Sequence, residues 1–353
     1  MKTGNIHTKI ITYLIIAAML IGVIPAEPVK VSAAKRPSVQ ASAYVVIDAS
    51  TGKTIYSKKA GKRIYPASTA KLMTALVTLK HLKLNKKITM TKNIKNKVPG
   101  DASALSLKNG ARYTVEQYLN MMLIASDACS AVTLAVETSG SISGFCKLMN
   151  KTAKKLGMKH SYFDNPMGLD RGNGYNKIHT TAADMGKLAK AAMKNKVIRK
   201  IVKKSKYKVP KVKGAKSFTI KSTNRLYSSY KFNSNKYKVI GTKTGTTNAA
   251  GHVLIATVKN SEGNEVIICY FGAKTTDALY TGIKKLFEYT FKHHKFENEA
   301  VPTVTPKPTV TPKPTATSKP TATPKPTATS KPTATPKSTA TSTPMATVTP
   351  MAT

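Results

Sequence analysis

Strand-like segments stand at both ends of one stretch of this chain and helical segments fill its middle, so the two ends must meet in one sheet to be buried. On the N-terminal side, Tyr44-Val45-Val46-Ile47 is apolar and β-branched, Asp48 to Lys53 supplies turn residues, and Thr54-Ile55-Tyr56 resumes an extended pattern. That is a hairpin. On the C-terminal side, strand patterns run over Tyr237 to Lys243, His252 to Val258 and Glu265 to Phe271, and a helix closes the unit around Ala278 to Phe291. Between them lies a polar, basic passage from Lys80 to about Lys216. Within it, Thr114-Val115-Glu116-Gln117 reads as a capping box that starts an apolar helix ending near Ser126. Ser130 to Val136 and Thr181 to Met193 read as further helices. The predicted class is α+β: an antiparallel sheet flanked by helices, with a second, helical lobe.

Both termini fall outside that unit. Lys2 and Lys9 precede the apolar run Ile10 to Ile24, and Val31-Ser32-Ala33-Ala34 offers small residues for cleavage. Residues 1–34 therefore read as a signal peptide, an uncleaved anchor being the other reading, and either places the working protein outside the cytoplasm. Residues 299–353 form a Thr/Pro/Lys tail with lysines recurring every six residues from Lys307 to Lys337, and nothing there can build a core. It reads as a disordered, semi-rigid cationic spacer, either without a partner or as a wall-crossing or wall-adhering, O-glycosylated stalk.

Charge narrows the partners. Fifty-eight Lys and Arg against 15 Asp and Glu give +43, a surface attracted to any dense polyanion. The bases are spread along the whole chain without zinc-finger, RNP-like or helix-turn-helix patterning. In an extracytoplasmic protein, anionic wall polymers are expected as partners and nucleic acid is not. Cys129, Cys146 and Cys269 lie in apolar surroundings and read as buried thiols, with room for one disulfide and no metal-ligand spacing.

Two stretches carry chemistry. In Tyr65-Pro66-Ala67-Ser68-Thr69-Ala70-Lys71, Pro66 suits a first helical turn, and residues three apart share a helix face. Lys71 can thus lie against the Ser68 hydroxyl and take its proton if burial or another cation keeps the amine neutral. Ser-x-x-Lys alone means little in so lysine-rich a chain, which repeats it at Ser205/Lys208 and Ser228/Lys231. The second stretch, Gly241-Thr242-Lys243-Thr244-Gly245-Thr246-Thr247, ends an extended segment. A strand edge bearing lysine, hydroxyls and a glycine suits an extended peptide with a terminal carboxylate.

Together these motifs resemble the set Ser-x-x-Lys, Ser-x-Asn and Lys-Thr-Gly of the penicillin-binding and serine β-lactamase superfamily. The likeness is nearest to the low-molecular-mass D-alanyl-D-alanine carboxypeptidases of peptidase family S11. Asp48 to Lys53, Phe163-Asp164-Asn165-Pro166-Met167-Gly168-Leu169, Thr180 to Met185 and Lys243 to Gly251 are also similar to that family. The resemblance covers about residues 41–292 and implies a β-lactamase/transpeptidase-like fold and acyl transfer without metal or cofactor. It implies peptidoglycan stem peptides ending in D-Ala-D-Ala as substrate and β-lactams as covalent inhibitors. The implied catalytic residues are Ser68 as nucleophile, Lys71 as base and Ser126 as proton relay. Lys243, Thr244, Gly245 and Thr246 are the implied substrate-binding residues, with the Ser68 and Thr246 N–H groups as the oxyanion hole. Lys243 is also the like charge expected to help keep Lys71 neutral.

Two positions depart from the pattern. Ser126-Asp127-Ala128-Cys129 lacks the Asn of the second motif: Ala128 or Cys129 stands in its place or, with Asp127-Ala128 matched to the residues that follow the Asn, Ser126 itself does; the literal Ser222-Thr223-Asn224 sits where the family has a substrate-side loop. After the Phe271 strand, where the family often has Arg, only Lys274 is available. The alternatives are a β-lactamase, against which the absence of an obvious Glu around Asn165 to Gly168 counts, and a weakly active or non-catalytic penicillin- or wall-binding protein. His179 reads as structural, and Asp184 as a residue that caps or pins its helix.

Overall fold

The computed structural model describes residues 36–170 and 175–297. The expected signal peptide and tail lie outside the described residues. Strand β1 (Ala43–Asp48) turns back into β2 (Thr54–Lys58), and a 3-10 turn, Ala67–Ala70, leads into α1 (Lys71–His81). Next come β3 (Lys87–Thr89), α2 (Lys92–Lys95), β4 (Arg112–Thr114), α3 (Val115–Ile124), α4 (Ala128–Ser139) and α5 (Ile142–Lys155). Then follow α6 (Ala182–Lys194), α7 (Lys196–Val202), β5 (Lys206–Val209) and β6 (Phe218–Lys221). The unit ends with β7 (Tyr237–Thr247), β8 (Gly251–Asn260), β9 (Glu265–Ala273) and α8 (Thr276–His293).

The ends do meet in one sheet. Its order is β2-β1-β9-β8-β7, antiparallel throughout, with β1 paired to β9 from Ala43↔Phe271 to Asp48↔Val266. Alternation along the strands sends Val45, Ile47, Ile255, Ile267 and Cys269 into a core shared with the helical lobe. Tyr44, Val46, Leu254, Ala256 and Ile268 go to the opposite face, under α8. Every residue of β1 is buried, as a strand covered on both faces must be. Helix α1 is buried from Lys71 through Thr78 and forms the spine between sheet and lobe.

The capping box is present: Gln117 N donates to Thr114 Oγ1 (3.2 Å) and Thr114 N to Gln117 Oε1 (2.7 Å). Two small hairpins, β3–β4 within the polar passage and β5–β6 at its end, leave no strand pattern in the sequence. All three cysteines are free and buried, so the disulfide left open by the count does not form. His179 sits against Arg63 and the Lys177 carbonyl, and Asp184 accepts from His160 N and Ser161 Oγ, both structural uses. No helix among the described residues is long and apolar enough to cross a membrane.

Candidate active site

Ser68 lies in the 3-10 turn that feeds α1, just after Ala67, whose φ of +46° is unusual for a residue with a side chain. Such a conformation costs on the order of 1–3 kcal/mol and is held only by its surroundings. Here β7 provides them by close approach. A Cβ on Gly245 would stand 2.8 Å from Ser68 N and 2.9 Å from the Ala67 Cβ, so only glycine lets the strand pass there.

Three residues on, Lys71 Nζ is 2.9 Å from Ser68 Oγ and donates to Met167 O at 2.9 Å. Lys71 is 2% exposed, and burial lowers its ammonium to about 7, with the nearby Asp127 carboxylate pulling the other way. An amine so placed keeps one N–H on Met167 O while its lone pair faces the serine hydroxyl. The Met167 carbonyl is itself held by a folded loop. Asn165 Oδ1 accepts from Met167 N (3.1 Å), Gly168 N (2.7 Å) and Leu169 N (3.1 Å), and Thr74 of α1 donates to Pro166 O (2.7 Å).

Two cavities flank Ser68. One, of about 360 Å³, is lined by Ser126, Thr223, Arg225, Thr244, Gly245 and Thr246, among others. The other, of about 630 Å³, is lined by Lys71, Asp101, Met167, Asp170, Thr246 and Thr247, among others. Ser103 borders both. Of the residues singled out in the sequence, Ser68, Ser126, Thr244, Gly245 and Thr246 thus share one wall. Lys243 is not among the lining residues of either cavity. It is 1% exposed, and its Nζ donates to Thr244 O at 2.9 Å. Burial drives its pKa well down, and the charge on Lys71 adds to this. The like-charge effect expected on Lys71 therefore appears on Lys243, while Lys71 itself is depressed by burial.

No side-chain amide replaces the missing Asn at the second motif. Ala128 packs in the core, and Cys129 is buried with its thiol pushed up to about 11. Asp127 instead organises the region. Its Oδ2 caps α4 by accepting from Ser130 N (2.8 Å) and the Ser130 hydroxyl, and its Oδ1 accepts from Leu105 N (2.7 Å). With Ala128 N donating to Ser103 O (2.8 Å), this fastens the loop that carries Ser103 beside Ser126, whose own φ is +64°.

Sequence reasoning missed Arg225. In sequence it stands well before the expected position after β9, where Lys274 is exposed and absent from the cavity wall. The Thr223-Asn224-Arg225 loop docks through Thr223 Oγ1 to Thr244 Oγ1 (2.6 Å), and Arg225 N donates to the Tyr280 hydroxyl (2.9 Å). The one available signal was the loop's Asn224, whose Oδ1 accepts from Leu226 N to start a 3-10 turn. Asn224 is buried and does not line the cavity, so the literal Ser222-Thr223-Asn224 contributes Thr223 rather than its amide. Among the described residues no group of His, Cys, Asp or Glu is arranged to hold a metal ion.

The family model described as D-alanyl-D-alanine carboxypeptidase, peptidase S11, matches residues 30–275. The chain is similar to D-alanyl-D-alanine carboxypeptidase DacF of Bacillus subtilis, 31% identical over 293 residues, covering 81% of this chain and 72% of that one. It is equally similar to a D-alanyl-D-alanine carboxypeptidase of Streptomyces strain K15, 31% identical, covering 80% of this chain and 97% of the relative. In three dimensions it matches the crystal structure of the Streptomyces K15 DD-transpeptidase with a TM-score of 0.66 at 30% identity, over 73% of this chain and 99% of that one.

Proposed function

The chain belongs to the D-alanyl-D-alanine carboxypeptidase family, peptidase S11, and on that footing we propose that it removes the terminal D-alanine from peptidoglycan stem peptides through an acyl-enzyme on Ser68. The observation that carries this is the 2.9 Å contact between Ser68 Oγ and a buried Lys71 lowered to about 7. A neutral amine at that distance accepts the hydroxyl proton as the oxygen attacks the carbonyl between the two D-alanines. The N–H groups of Ser68 and Thr246 stabilise the oxyanion where β7 passes the serine. Ser126 returns the proton to the departing D-alanine, and water entering at the same face hydrolyses the ester. The leaving residue's carboxylate lies in the cavity holding Thr244, Gly245 and Arg225, with Arg225 supplying the positive charge on its wall. β-Lactams acylate the same serine.

Residues 1–34 act as a signal peptide, 41–292 as the catalytic domain and 299–353 as a tail, so the enzyme works outside the cytoplasm. Its basic surface, and its tail, hold it on anionic wall polymers. The deciding experiment incubates wild type and Ser68→Ala with fluorescent penicillin and with a Lys-D-Ala-D-Ala peptide. Ser68-dependent labelling together with D-alanine release is expected. Absence of labelling in the wild type would remove Ser68 as nucleophile, and labelling without release would remove the carboxypeptidase activity.

A further inference from the structure

A third cavity, of about 420 Å³, opens at the opposite end of β7 from the active-site wall, between the start of β7, the end of β8 and α7. Lys238 is eight residues from Thr246 along the strand, roughly 26 Å at the rise of an extended chain. Five cations line the cavity, Arg199, Lys203, Lys236, Lys238 and Lys259, against one carboxylate, Glu265. Glu265 is already engaged, by an ion pair with Arg199. No salt bridge among the described residues reaches Lys203, Lys236, Lys238 or Lys259.

The strand register sharpens the point. Lys238 and Lys259 are direct cross-strand partners. Like charges facing each other at that spacing destabilise a sheet, and a bound anion would relieve the repulsion. Lys236 lies next to this pair along β7's approach, and Asn235 and Ser261 add neutral hydrogen-bonding groups at the rim. The cations reach from a helix across two strands, and the open shape suits a chain that passes through.

We propose that this cavity binds a phosphodiester segment of a polyol-phosphate polymer. Its phosphates take the lysines, and its hydroxyls take the Asn and Ser groups. Binding there leaves the cleft around Ser68 free, so one molecule can hold the wall polymer and cleave a stem peptide together. The inference rests on the reading that the basic surface meets anionic wall polymers, and gives that contact an address.

The test measures binding of the full chain to purified poly(glycerol phosphate) and, separately, to poly-glutamate of matched length, at physiological salt. Lys236→Glu/Lys238→Glu/Lys259→Glu is compared with Lys147→Glu/Lys151→Glu/Lys154→Glu, an equal change of charge on the exposed face of α5. The cavity variant should lose at least about tenfold in affinity for the phosphate polymer and the control less than about threefold, both still releasing D-alanine from a short peptide. If the charge reversals prevent folding, the neutral pair Lys238→Gln/Lys259→Gln replaces them with the same expected direction. Equal losses in both variants, or none in the cavity variant, would overturn the site. Equal affinity of the wild type for poly-glutamate would overturn the phosphodiester assignment. A wild type that binds neither polymer would sink the wall-polymer reading itself, leaving the Ser68 chemistry untouched.

Discussion

At the level of single residues, the proposed mechanism makes the burial of Lys71 set the pH at which Ser68 can lose its proton. A base of pKa about 7 is charged and useless below that point. The acylation rate with fluorescent penicillin should therefore fall about tenfold per pH unit below 7 and level off above it. A rate flat from pH 5.5 to 8 would remove Lys71 as the base. Asp127 holds the Lys71 pKa up against burial, so neutralising it in Asp127→Asn lets the amine fall further, and the acid limb should move to lower pH. A limb that stays in place would mean that Asp127 serves only the loop and the cap. The Ser68–Lys71 pair was legible because a three-residue spacing determines a helix face whatever the fold. Asp127 was not. Its partners include Leu105, 22 residues away, and a buried carboxylate that binds backbone N–H groups leaves no periodic mark in a sequence. Arg225 was hidden for the same reason, since only the docking of its loop on Thr244 and Tyr280 brings it to the cavity.

Among the elements, the turn before α1 and the Asn165 loop are fitted to each other at Gly168. That residue has φ +87°, and a Cβ there would lie 1.9 Å from Ala67 O and 3.1 Å from the Ala70 Cβ. Because Ala67 precedes Ser68 and Met167 O accepts from Lys71, one methyl group pushes on both members of the pair. Gly168→Ala should lower stability by about 2–4 kcal/mol in urea unfolding and slow acylation at least tenfold. A variant that unfolds like wild type and acylates normally would show the loop free to move aside. The long elements were readable from the sequence because their apolar runs and caps are long enough to stand out from the turns that bound them. The continuous apolar, β-branched runs of β1, β8 and β9 and the capping box of α3 appear in the structure with ends shifted by a few residues. The hairpins β3–β4 and β5–β6 were not, as three- and four-residue strands rich in lysine are too short for a period and bury little.

For the whole molecule, the question is where the positive charge does its work. The tail from 299 to 353 carries six lysines out of the chain's 58 Lys and Arg, so most of the charge belongs to the rest of the protein. If wall attachment is electrostatic and led by the folded unit, a chain ending at Glu297 should keep most of its affinity for isolated walls. Its D-alanine release should match that of the full chain. Attachment of both forms should weaken together as salt rises from about 0.1 M to about 1 M, where the screening length falls from about 10 Å to about 3 Å. The measurement is co-sedimentation of the two forms with purified walls across that range. Loss of attachment on removing the tail would move the wall contact to the repeats, where lysines every six residues on a proline-rich spacer present a regular cationic ladder. Retention of both forms at about 1 M salt would exclude electrostatics as the main attraction. Composition alone could announce a polyanion partner but could not locate it, because the same lysine count serves a diffuse surface, a repeated tail or a cavity. Only the strand register, by setting Lys238 against Lys259, separates a focused site from the background charge.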